Sequence, residues 1–167
     1  MLSESDIPAK TLKYLKITLL IFSILVFSQC NTRKPLETYH KFEKNVWPRF
    51  DIITFEIPIN KNDKPCDVLF FARLTPQFPF ESLSFNMVMN TPSGEERINS
   101  YDLKVRSKSG NFILGCKEGV CEGTLMLKRE LSIPISGKLI IALENLTPRI
   151  QAEGISGIGI RVLEMGK

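Results

Sequence analysis

From residue 50 onward, apolar and polar side chains alternate with a period close to two, in short runs rich in β-branched and aromatic residues. That rhythm admits strands and leaves no helical stripe three turns long. Stretches 50–59, 67–74, 83–90, 97–105, 124–131, 138–146 and 157–164 are predicted as seven strands, with 111–114 as an eighth. The breaks carry turn chemistry, as in Thr91-Pro92-Ser93-Gly94, Ser107-Lys108-Ser109-Gly110 and Ser136-Gly137. Seven or eight short strands point to an all-β fold, a β-sandwich of immunoglobulin-like or jelly-roll type. Pro79, Pro134 and Pro148 fall where they would interrupt a ladder and protect an edge. In 83–89 the alternation turns Leu83, Phe85, Met87 and Met89 to one face, so both methionines are expected to pack rather than to bind metal. Val68-Leu69-Phe70-Phe71-Ala72 is nearly continuous apolar sequence, as a central strand covered on both faces would be.

The first thirty residues obey different rules. Lys10, Lys13 and Lys16 precede the uncharged run 17–27, whose 11 residues would cover roughly 17 Å as a helix, short of the roughly 30 Å of bilayer hydrocarbon. This is the layout of an export signal rather than of a spanning anchor. The run ends at Phe27-Ser28-Gln29-Cys30, and a cysteine there is where a bacterial lipoprotein is cleaved and acylated, although Gln29 is larger than the residue usual before it. The expected organisation is a lipoprotein signal peptide over 1–29, a lipidated tether over 30–45 and a β-sandwich domain over 46–167. Two or more acyl chains on Cys30 would fasten the domain to a membrane, at about 0.8 kcal/mol per buried methylene. The segment just after Cys30 carries no acid, which favours a periplasm-facing position on the cell membrane or outer membrane.

Composition excludes more than it assigns. With 43% hydrophobic and 24% charged residues the chain is globular stock, and a net charge of +4 is too small to imply nucleic-acid binding. His40 is the single histidine, so a multi-histidine metal centre is excluded. Once Cys30 is assigned to lipid, Cys66, Cys116 and Cys121 remain. Cys116 and Cys121 flank Gly119 at a spacing that a tight hairpin could close into a disulfide, leaving Cys66 as a buried thiol; the alternative is a zinc site from the three thiols and His40. Gly154-Ile155-Ser156-Gly157-Ile158-Gly159 has phosphate-loop letters but no helix behind it, so turn or close sheet packing is expected. Asn145-Leu146-Thr147 is a glycosylation sequon of little weight in a bacterial chain. The acids Glu95, Glu96, Glu118 and Glu122 read as solvated surface, and neither a catalytic set nor a cofactor is inferred.

Read in order, Cys30, Tyr39-His40-Lys41-Phe42, Trp47, Phe55-Glu56-Ile57-Pro58-Ile59, Arg73, Phe78-Pro79-Phe80 and Leu83 resemble the gliding-motility lipoprotein GldH family of Bacteroidetes. Pro92-Ser93-Gly94, Asp102-Leu103, Gly110, Gly137, Arg149, Gly154-Ile155 and Ile158-Gly159-Ile160-Arg161-Val162 resemble its later pattern. After Gly110 the chain departs from it, and the Cys116/Cys121 pair is its own. The resemblance implies an envelope lipoprotein of surface gliding, associated with type IX secretion and without a catalytic reaction. Arg73 with Phe78-Pro79-Phe80 is one candidate contact surface, because arginine and aromatics are enriched at interface centres. The other reading makes both phenylalanines core and gives Arg73 a carboxylate partner. The leading functional expectation is a non-catalytic, membrane-tethered assembly module that touches envelope, secretion or motility proteins. A glycan-binding sandwich using Trp47 and Tyr101 is the alternative.

Overall fold

The computed structural model describes residues 35–49 and 51–164, apart from the side chains of Asn62 and Asp63. The expected export signal, Cys30 and the expected strand start at Phe50 lie outside the described residues. The described residues form eleven strands: β1 (Leu36–Lys41), β2 (Val46–Pro48), β3 (Ile52–Ile59), β4 (Asn62–Leu74), β5 (Ser82–Asn90), β6 (Glu96–Lys104), β7 (Gly115–Lys117), β8 (Val120–Ile133), β9 (Gly137–Asn145), β10 (Gln151–Glu153) and β11 (Ile155–Glu164). They form a five-stranded sheet in the order β1-β11-β4-β8-β7, a four-stranded sheet β3-β9-β5-β6, and a two-stranded clip β10-β2, with every pairing antiparallel.

The larger sheets face each other as a β-sandwich. From the four-stranded sheet, Leu83, Phe85, Met87 and Met89 of β5 and Leu139, Ile141 and Leu143 of β9 point inward. They meet Val68, Phe70, Ala72 and Leu74 of β4 and Ile158, Ile160 and Val162 of β11 in one core, where the rings of Phe70 and Phe85 lie 4.3 Å apart. Each fully buried side chain of this size contributes about 1.5–3 kcal/mol.

The structure moves two boundaries. Residues 36–41, expected in the tether, form β1, which pairs with β11 from Leu36↔Val162 to Lys41↔Gly157. The folded domain therefore begins before residue 46. All but Thr38 of this edge strand are exposed, so it has too few buried positions to print an apolar alternation on the sequence. The expected strand at 111–114 is also displaced. Phe112 makes only an isolated bridge to Arg106, and the ladder forms at β7, where Cys116 and Cys121 oppose each other. The other seven expected stretches lie on β3, β4, β5, β6, β8, β9 and β11, with β4 beginning at Asn62 rather than 67 and β8 at Val120 rather than 124.

The sandwich has two distinct ends. At the turn end lie the β3–β4 turn, the β5–β6 hairpin and the β8–β9 turn, while β1 begins between the ends, level with Val68, and runs away from the turns. At the loop end lie residues 75–81, 105–114 and 146–150, together with the 3-10 turn Glu43–Asn45.

Candidate functional site

The expected site residues gather near the loop end but on different faces. Phe78 is fully buried, Phe80 is half-buried and Pro79 is exposed. Arg106 builds this loop from beneath: its guanidinium donates to the carbonyl oxygens of Phe78 (2.9 Å), Pro76 (3.0 Å) and Gly110 (2.9 Å), and it lies 4.8 Å from the Phe112 ring. On the far side the Phe78 backbone rests on Gly154, whose φ of +81° and lack of a side chain are both needed. A Cβ there would come within 2.7 Å of Phe78 N and Cα. Arg149 sits 5.7 Å above the Phe80 ring, beside the exposed Ile150.

Arg73 belongs to the outer face of the five-stranded sheet. Its Nε donates to Glu122 at 3.1 Å, and its guanidinium lies 4.8 Å from the Tyr39 ring and 5.7 Å from Phe71. Arg161 completes the cluster, donating to Glu37 at 2.8 Å and Glu122 at 3.5 Å while stacking 4.7 Å from Phe71. Register explains the meeting, since Tyr39, Gly159, Phe71 and Thr124 form one cross-strand row and Gly157, Arg73 and Glu122 the next. Gly157 and Gly159 leave floor space over which the Tyr39 and Phe71 rings lie stacked, 5.9 Å apart. Phe71 is thus fully buried although it points away from the core, and β4 is covered on both faces as its sequence suggested. Hydrogen bonding to Glu122 and Glu37 respectively raises the already high pKa of Arg73 and Arg161, so both stay charged.

A third feature is a cleft of about 610 Å³ where β1 leaves the sheet, lined by His40, Phe42, Lys44, Val46, Ile53 and Gln151 among others. Lys44 and Asn45 both adopt left-handed backbone, with φ of 55°, to turn the chain from β1 into the β2–β10 clip. Behind the clip Trp47 is completely buried, its Nε1 donating to Asp51 O at 3.2 Å. Asn145 donates to Trp47 O at 2.8 Å and accepts from both the backbone N and Oγ1 of Thr147. The sequon is therefore a buried structural turn.

Other sequence expectations change here. Trp47 has no exposed face to offer a sugar. Tyr101 is half-buried, stacked on Phe85 and donating to Leu127 O at 2.7 Å. The aromatic residues of the glycan-binding alternative are packing residues. Cys116 and Cys121 are joined by a disulfide across the β7–β8 hairpin, whose turn residues Glu118 and Gly119 both have positive φ. Cys66 is buried and donates to Leu131 O, and burial pushes its thiol pKa up. The zinc alternative has no site among the described residues. Arg106 and Asn145 were not singled out for their roles in the sequence. An arginine at the start of a loop and an Asx-type turn are common letters, and only the fold shows which carbonyls they meet.

Comparison with known proteins adds the family. The model of the GldH lipoprotein family matches residues 35–162, which is the β domain from its first strand to its last. The chain is 23% identical over 151 residues to the gliding motility lipoprotein GldH of Flavobacterium johnsoniae, covering 86% of this chain and 92% of that one. Among solved structures it is similar to the infectious bursal disease virus VP2 subviral particle (11% identity, TM-score 0.36, 79% of this chain and 33% of that one). A structure of the Gx strain of that virus is similar as well (12% identity, TM-score 0.29, 80% and 32%). The chain spans about a third of those proteins, and likeness at this level carries no argument. On the match to its whole folded domain, this chain belongs to the GldH lipoprotein family, which is linked to gliding motility.

Proposed function

We propose that the protein is a non-catalytic envelope module, fastened to a membrane through acyl chains on Cys30, periplasm-facing, and acting by contact with proteins of gliding and type IX secretion. The observation that carries this reading is the family match across the entire β domain, together with a gliding-motility relative of nearly the same length. The side-chain chemistry supports it. Arg73, Arg106 and Arg161 are engaged in ion pairs, carbonyl caps and ring stacking, and Cys66 is sealed in the core. In this reading the contact surface is the exposed part of the loop end, Pro79 and Phe80 with Arg149 and Ile150, while Phe78 anchors it. Arg73 and Tyr39 present a second, charged and aromatic face beside it.

The test is genetic and chemical. In a gliding host lacking the gene, the full chain restores spreading, incorporates palmitate and crosslinks to envelope machinery. Cys30→Ala does none of these while its β domain still folds. A Cys30→Ala protein that restores spreading fully, or a wild-type chain that takes up no palmitate, overturns the reading.

A further inference from the structure

We infer that the turn end of the sandwich lies against the bilayer and that the loop end, with its cleft and the Phe78-Pro79-Phe80 loop, points away from it. The inference rests on the reading that Cys30 carries the lipid, and it follows from where β1 begins. Leu36 pairs with Val162, which in turn pairs with Val68. From that row β4 continues toward the turn end as far as Asn62, paired with Ile133. Those residues overhang Leu36 by about 20 Å, at about 3.3 Å per residue and a little less where β4 and β8 bulge.

Cys30 to Leu36 is six peptide steps, which fully extended chain stretches to at most about 20 Å. Tether and overhang are therefore nearly the same length. With the sandwich standing on its turn end, an acylated Cys30 at the membrane surface reaches Leu36 when the overhanging turns stand at headgroup level. With the loop end down, the same tether would have to double back along β1, because β1 runs from Leu36 toward the loop end.

The turn end is built as one cap. Lys61 N donates to Ser136 Oγ at 2.7 Å, joining the β3–β4 and β8–β9 turns. Pro92 of the β5–β6 hairpin packs against Gly137, where a Cβ would lie 2.9 Å from Pro92 Cβ. At the apex Ile135 is 49% exposed, with exposed Lys61 on the adjoining turn, while Lys138 at the start of β9 is paired with Glu56 at 2.7 Å. An exposed isoleucine at the tip, with Lys61 beside it, suits the boundary between acyl chains and headgroups. The 13 residues of β4 then set the opposite end about 40 Å from the membrane surface, where a partner would be met.

The test uses the full, lipidated chain in vesicles of phosphatidylethanolamine and phosphatidylglycerol that carry a headgroup quencher. A fluorophore is placed in turn at Ser93→Cys and Ile135→Cys on the turn end, and at Ser109→Cys and Ile150→Cys on the loop end. Quenching several-fold stronger at 93 and 135 than at 109 and 150 is expected. Inserting about 20 Gly/Ser residues between Lys34 and Pro35, which lengthens the reach by about 25 Å, should weaken that difference while leaving the protein on the vesicles. Equal quenching at all four positions, or stronger quenching at 109 and 150, overturns the orientation alone. A full chain that does not float with the vesicles overturns the Cys30 reading and the orientation with it.

Discussion

Asn145 places three hydrogen bonds in a site without solvent, one to Trp47 O and two from Thr147. Asn145→Ala leaves the Trp47 carbonyl buried without its donor and is expected to destabilise the domain by about 2–3 kcal/mol, read as a lower urea midpoint with an unchanged slope. Gly154→Ala meets a second kind of obstacle. Its backbone is left-handed and the new methyl would press on Phe78, so a loss of about 1–3 kcal/mol is expected, and Phe78→Leu should not recover it because the clash is with backbone. Cys66 makes a prediction in pH. Because burial raises its folded-state pKa above the ordinary thiol value, its contribution is fully present below that value and is lost as pH rises through the folded-state one. Urea midpoints of the wild type should therefore fall more steeply above about pH 9 than those of Cys66→Val. Of these three residues the sequence marked only Cys66 for burial, as the thiol left over after pairing. The importance of Asn145 and Gly154 comes from residues far along the chain, and no local pattern encodes it.

At the scale of the element, legibility follows burial. β5 alternates strictly between buried and half-buried positions, and its sequence announced it from 83 to 90. β1 and β7 failed to announce themselves because almost none of their side chains is buried. β1 exists because β11 offers it a ladder, and β7 because a disulfide and a two-residue turn close the hairpin. A Cys116→Ser, Cys121→Ser double variant should lose about 2 kcal/mol, as expected for so short a closed loop, and exchange amide hydrogens faster in 115–122 than elsewhere. Deleting β1 is expected to do more harm than its few buried atoms suggest. It would bare the β11 edge beside Ile158, Ile160 and Val162 and uncover Phe71, and the measurable outcome is aggregation under conditions where the intact chain is monodisperse.

For the whole molecule, the two-layer β architecture was readable because both layers need alternating faces and turn residues between them. The candidate site was readable only as a set of letters. Tyr39, Arg73, Gly159 and Arg161, which carried the family resemblance, meet on one outer face, yet their meeting depends on the register of β1, β11 and β4. Arg73 and Phe78, close in sequence, separate to the outer face and the core of the same end, with Pro79 and Phe80 left at the surface. The clip that shuts this end also leaves the chain with a built-in optical gauge. Its single indole is fully buried behind the pairing of β2 with β10, so a red shift in intrinsic emission would report the opening of that seam directly, without any attached dye.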